Sequence, residues 1–133
     1  MAHTILYIED NHDNMLLVKR VLEATGYRFL WSADGLQGIS MAEAQRPDLI
    51  LLDINLPGID GYEVARRVRA HSTSLRSVPI IAITADAFRS NVELARSAGC
   101  DMYLSKPINI RELAARIRAI LPHVEFGPAL RQV

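Results

Sequence analysis

Leu49-Ile50-Leu51-Leu52-Asp53-Ile54-Asn55-Leu56-Pro57-Gly58 is an uninterrupted apolar run that ends on a carboxylate and breaks into turn chemistry. A strand apolar at every position is one covered on both faces, which is the pattern of a central strand in a parallel sheet. Pro79-Ile80-Ile81-Ala82-Ile83 repeats the pattern and ends at Thr84. Thr4-Ile5-Leu6-Tyr7-Ile8 does the same and stops at Glu9-Asp10-Asn11. A weaker run, Arg28 to Ser32, and a short one, Met102 to Ser105, complete a set of five.

Helical periodicity fills the gaps. From Asn14, apolar residues recur at Leu17, Val18, Val21 and Leu22, with Gly26 as a stop. Further helices are expected over 35–44, after Gly61 with Val64 and Val68 inward, over 88–98 ahead of Gly99, and over 110–121 ahead of Pro122. Strands alternating with helices make βαβ units with right-handed crossovers. The expected fold is a doubly wound, flavodoxin-like (βα)5 unit with a five-stranded parallel sheet in the order 2-1-3-4-5. It occupies residues 1–121 and leaves 122–133 as a short C-terminal tail.

Composition narrows the class. In 133 residues, 15 basic side chains balance 15 acidic ones, so there is no basic footprint for nucleic acid or an anionic membrane surface. No apolar run reaches the length of a membrane span, and the N-terminus lacks a signal-peptide pattern. The single Cys100 has no internal disulfide partner and suits a reducing compartment, so the expected location is cytoplasmic.

The polar residues at the strand ends carry the chemistry. Asp10 follows the first strand, Asp53 ends the third, Thr84 follows the fourth and Lys106 the fifth. In a parallel sheet these ends share one edge, and ligands bind where the strand order reverses, between strands one and three. Glu9, Asp10 and Asp53 are therefore expected to converge there, and three carboxylates in one crevice call for a cation. An all-oxygen site with few protein ligands suits Mg2+. Lys106 offers a point charge, Thr84 a hydroxyl, and the Asn55 backbone carbonyl a further oxygen. A carboxylate nucleophile among such groups fits phosphoryl transfer.

Glu9-Asp10-Asn11, Leu52-Asp53-Ile54-Asn55-Leu56-Pro57-Gly58, Thr84-Ala85 and Tyr103-Leu104-Ser105-Lys106-Pro107 resemble the motifs of response-regulator receiver domains, in order, from about Ile5 to Leu121. The resemblance is to stand-alone receivers and to the receivers of hybrid histidine kinases. It implies that Asp53 is the phosphoacceptor of a two-component phosphorelay. Glu9, Asp10, Asp53 and Asn55 would hold Mg2+ or Mn2+, with Glu9 shaping the site through water, and Thr84 and Lys106 would contact the phosphoryl group. Thr84 and Tyr103 would be a switch pair that remodels the face of the fourth helix, fifth strand and fifth helix. The donor implied is a histidine kinase or histidine phosphotransfer protein, and the remodelled face is where a homodimer would form. Such a domain is a signalling phosphoacceptor that catalyses only its own phosphorylation and dephosphorylation. Met15, Leu16, Ile54, Leu56, Pro107 and Ile108 are expected to form an apolar patch for the phosphodonor.

Two other functions fit less well. A haloacid-dehalogenase-like phosphatase also starts from a strand-end Asp but needs a second Asp two positions on, where this chain has Asn55. An FMN carrier would share the topology, but Glu9 and Asp10 stand where its phosphate loop belongs. Asp60 reads as a helix cap, Trp31 and Cys100 as packing residues, and His3, His12, His71 and His123 as surface residues without metal-ligand spacing.

Overall fold

The computed structural model describes residues 2–85 and 89–121. The tail 122–133, with His123, and the start of the fourth helix at Phe88 lie outside these residues. In chain order the elements are β1 (Thr4–Ile8), α1 (His12–Ala24), β2 (Arg28–Ser32), α2 (Gly35–Gln45) and β3 (Leu49–Asp53). Then follow α3 (Gly61–Arg69), a 3-10 turn (Ser74–Ser77), β4 (Ile80–Thr84), α4 (Arg89–Ala98), β5 (Met102–Ser105) and α5 (Ile110–Ile120). The strands pair in parallel in the order β2-β1-β3-β4-β5, the doubly wound topology expected from the alternating pattern.

Strand alternation sorts the core into two layers, because successive side chains point to opposite faces. Leu6, Ile8, Ile50, Leu52, Ile80 and Ala82 face α2, α3 and α4, packing on Ala42, Val64, Val68 and Ala95. Ile5, Tyr7, Leu49, Leu51, Ile81 and Ile83 face α1 and α5, packing on Val18, Leu22, Leu113 and Ile117. β1, β3 and β4 are buried at every position, which is why their sequences lack polar alternation.

The structure corrects α1 in two respects. It starts at His12 rather than Asn14, because the Asn11 side chain accepts the Asn14 N–H and caps the first turn. Its core stripe is Met15, Val18 and Leu22, whereas Leu17 stays 43% exposed. Leu17 lies about 100° around the helix from Val18, so the face that reaches the sheet excludes it. Asp34, Asp60 and Asn109 cap α2, α3 and α5 in the same manner as Asn11, with Asp60 in the role expected of it.

Gly61 opens α3 where the helix passes against the end of β3. A Cβ there would stand 2.6 Å from both the Asp53 carbonyl oxygen and Ile54 Cα. That glycine lets α3 press on the backbone that carries Asp53, and its N–H bonds the Ile54 carbonyl at 3.0 Å.

Candidate functional site

The register of the sheet brings the predicted residues to one edge. Ile8 pairs with Leu52, and Asp53 with Ile83, so the residues after β1 and at the end of β3 fall in one row. Thr84 pairs with Ser105, which puts Lys106 one step further along β5. One carboxylate oxygen each from Glu9, Asp10 and Asp53 lies within 4.8 Å of the other two. Glu9 and Asp53 are buried, at 0% and 1% exposure, while Asp10 is exposed at the rim.

Lys106 enters this cluster as its cation, with Nζ 3.0 Å from Glu9 Oε1 and 3.4 Å from Asp53 Oδ2. Asp53 Oδ1 accepts the Asn55 backbone N–H at 3.0 Å. The Thr84 hydroxyl is buried and donates to Asn55 Oδ1 at 3.3 Å. Tyr103 is half-buried one strand over, opposite Ala82 in the register, and packs on the core layer of α2, α3 and α4.

Two carboxyl groups this close and this dry cannot both ionise freely. Burial pushes the Asp53 carboxyl up to about 7, helped by its hydrogen bond with Glu9 and by the Glu9 charge, against the opposing pull of the Asn55 N–H and Lys106. Burial acts on Glu9 in the same sense, but hydrogen bonds from Asp53, Lys106, Asn14 and Tyr7 outweigh it and hold that carboxyl down at about 2. Without a metal, the pair therefore holds a proton well above the usual carboxylate range, and Asp53 is the member whose affinity for it is raised. Lys106 is itself partly desolvated, but its bond to Glu9 and the Asp53 charge hold its pKa above the ordinary lysine value.

Three groups that hold Glu9 were not singled out by the sequence. The Tyr7 hydroxyl donates to Glu9 Oε1 at 2.9 Å and the Asn14 amide at 3.0 Å. Trp31 Nε1 donates to the Glu9 backbone carbonyl at 2.7 Å, so the tryptophan anchors the acidic turn as well as packing edge-on against His12. The period of two along β1 puts Tyr7 and Glu9 on one face, and that spacing was the one available signal.

The expected apolar patch is only partly a surface. Met15, Ile54 and Leu56 are buried, at 6%, 4% and 7% exposure, because α1 and the loop after β3 turn them into the core. Leu16 and Ile108 are half-buried and Pro107 is exposed.

An acid cluster with a lysine and a buried threonine, at the switch point of a (βα)5 sheet, is the arrangement that the four motifs implied. The family model of the response regulator receiver domain matches residues 5–118. The chain belongs to the response regulator receiver family. It is 38% identical over 121 residues to the polar-differentiation response regulator DivK of Brucella anthropi, covering 91% of this chain and 98% of that one. Among solved structures it resembles the receiver domain of a sensor histidine kinase from Pseudomonas aeruginosa PAO1. The two are 40% identical, with a TM-score of 0.82, over 90% of this chain and 98% of that one, and a magnesium ion is coordinated in the active-site cleft of that domain. The Vibrio cholerae chemotaxis protein CheY4 is also similar, at 26% identity and a TM-score of 0.86, over 91% of this chain and 100% of its own. As a receiver domain, the chain is a signalling component of two-component systems. Among the described residues, no helix is long and apolar enough to cross a membrane.

Proposed function

We propose that this receiver accepts a phosphoryl group on Asp53 from a phosphohistidine of a histidine kinase or histidine phosphotransfer protein, in the cytoplasm. The observation that carries the reading is the meeting of Asp53 with Glu9, Asp10 and Lys106 at the switch point, beside the Thr84 hydroxyl. A divalent cation fits the residues present, since the donors are all oxygens and Lys106 alone cannot balance the three acidic groups once Asp53 ionises. Glu9, Asp10, Asp53 and the Asn55 backbone carbonyl would hold Mg2+ or Mn2+, which when bound neutralises charge on the phosphoryl oxygens.

The chain's own residues do the rest. Asp53 gives up its proton, and one of its oxygens forms the new O–P bond as the histidine N–P bond breaks. The departing imidazole leaves neutral once it has taken up a proton. Lys106 holds negative charge on the transferred group, and the Thr84 hydroxyl turns from Asn55 toward a phosphoryl oxygen. Tyr103 follows Thr84 inward, and the face of α4, β5 and α5 changes shape for a downstream protein or a second copy of the chain. The domain catalyses only its own phosphorylation and dephosphorylation, and its output is protein contact rather than nucleic-acid binding.

Incubation with acetyl phosphate or phosphoramidate and Mg2+, followed by intact mass, is expected to show a gain of one phosphoryl group. The gain should vanish in Asp53→Ala and without the metal; no gain in the wild-type protein would reject the reading.

The donor surface is tested separately. With Met15, Ile54 and Leu56 in the core, Leu16, Pro107 and Ile108 are what remains of the patch beside the site. Leu16→Glu is expected to slow transfer from a phosphohistidine partner about tenfold or more, since a desolvated charge at an interface costs upward of about 1.4 kcal/mol. It should leave phosphorylation by acetyl phosphate within about twofold. Equal losses with both donors would remove Leu16 from the docking surface.

A further inference from the structure

The two carboxylate oxygens of Glu9 are not equivalent. Oε1 accepts two hydrogen bonds, from the Tyr7 hydroxyl at 2.9 Å and the Asn14 amide at 3.0 Å, and it forms an ion pair with Lys106 Nζ at 3.0 Å. A carboxylate oxygen has two lone-pair directions, so the Tyr7 and Asn14 donors fill it. Oε2 accepts one longer hydrogen bond, from Lys106 Nζ at 3.4 Å. The capacity of Glu9 to face a cation therefore resides on Oε2.

The backbone of Glu9 is pinned as firmly. Trp31 Nε1 holds its carbonyl at 2.7 Å, and its own N–H bonds the Ser32 carbonyl at 3.0 Å. With both ends fixed, the side chain has little freedom beyond rotation of its carboxylate, and Tyr7 and Asn14 stop that rotation. The Tyr7 ring is packed in the core layer under α1 and α5, so its hydroxyl has no water to turn to. Burial, followed by the Glu9 charge, pushes that hydroxyl far above its ordinary pKa, and it stays a donor.

We propose that Tyr7 and Asn14 are positioning residues for the cation site: they commit Glu9 Oε1 to the protein, so that Oε2, alongside Asp10 and Asp53, is what a divalent cation or its water meets. The inference rests on the Mg2+ reading above and goes beyond it, because neither residue touches the reacting groups. Mg2+ demands near-ideal octahedral geometry, so a carboxylate free to rotate binds it more weakly. Removing groups that orient a ligand typically costs roughly 10- to 100-fold in metal affinity.

Tyr7→Phe keeps the ring and deletes the donor; Asn14→Ala removes the second donor at a half-buried helix position where folding is not at stake. Mg2+ dissociation constants are measured by calorimetry, and in parallel through the emission of Trp31, the only tryptophan. Tyr7→Phe is expected to raise the dissociation constant about tenfold, and Asn14→Ala by several-fold. The Mg2+ concentration that half-saturates phosphorylation by phosphoramidate should shift by the same factors, while the rate at saturating Mg2+ changes less than about twofold. A purely structural role would lower the melting temperature of either variant and leave its Mg2+ constant at the wild-type value, and that result overturns the proposal. A wild-type protein that binds no Mg2+ would overturn the proposed function and this inference together, so the two failures are distinguishable.

Discussion

Replacing Asp53 by asparagine should make the metal-free protein more stable, and by an amount that grows with pH. The native Asp53 carboxyl is pushed up to about 7 by burial and by Glu9, whereas in the unfolded chain it returns to about 3.9. A group whose pKa is raised on folding contributes fully below its unfolded value, and that contribution is lost as pH rises through the folded one. Each pH unit between those values costs the wild-type fold about 1.4 kcal/mol, so the whole penalty above pH 7 is on the order of 4 kcal/mol. An asparagine at this position carries no charge and escapes it. The variant should therefore match the wild type near pH 4 and exceed it above pH 7, by about 10–20 °C in melting temperature. Glu9 works in the opposite sense, since its lowered pKa contributes stability above its unfolded value that is lost only as pH falls toward about 2. Melting curves between pH 5 and 8 thus isolate Asp53. A constant difference between variant and wild type across that range would show that Asp53 is ionised in the native state throughout.

The same proton sets the competition with metal. Mg2+ binding has to displace it, so affinity should rise as pH climbs through about 7, and binding below that should release a proton to buffer. The stabilisation that Mg2+ confers on the wild type should be largely absent from Asp53→Asn, because one of three converging carboxylates is gone.

Much of this was legible in the sequence because strand burial and strand-end chemistry are local signals. Leu49 to Asp53 reads as a central strand with no knowledge of its neighbours, and topology then brings its terminal carboxylate to Asp10 and Lys106. What escaped the reading depends on rotation and reach. Met15, Leu16 and Leu17 are consecutive apolar residues, and periodicity alone allowed the stripe to be centred on Leu17; the sheet takes Met15 instead. Ile54 and Leu56 follow the strand into a loop, where no period applies, and they fold back into the core. Trp31 reaches Glu9 across 22 residues through a single indole N–H, a contact that no spacing announces. The hydrogen bonds of His71 to Glu43 and Thr73 likewise join α2 to the loop after α3, although the sequence offered His71 only as a surface residue.

Arg69 is the clearest case of a residue whose role the sequence concealed, and it should be the most costly to lose away from the site. It reads as one of several polar positions on α3, yet its guanidinium is spent at the edge of the sheet opposite Asp53. Nε donates to the Gly99 carbonyl at 2.8 Å, and Nη1 to the carbonyls of Val78 at 2.6 Å and Arg76 at 3.0 Å. Nη2 meets Asp101 Oδ2 at 2.8 Å, and that oxygen also accepts the Ile80 N–H at 2.9 Å. One side chain thereby ties the end of α3 to the entrances of β4 and β5. Gly99 is shaped to receive it: its φ is +105°, and a Cβ there would stand 2.5 Å from Arg69 Cγ. Arg69→Ala would leave three carbonyls and a carboxylate to find other partners, at an expected cost of about 3–5 kcal/mol in urea unfolding. Arg69→Lys should recover less than half of this, since a single ammonium cannot reproduce a planar fork of donors. Asp101→Asn, which keeps an acceptor for both the Arg69 fork and the Ile80 N–H, should cost only about 1 kcal/mol. Because the clasp lies at the far ends of β4 and β5, the folded fraction of each variant should take phosphate from phosphoramidate at the wild-type rate. A loss of rate in step with the loss of stability would mean that the two edges of the sheet are coupled, and that Arg69 sets the position of the strand ends carrying Thr84 and Lys106.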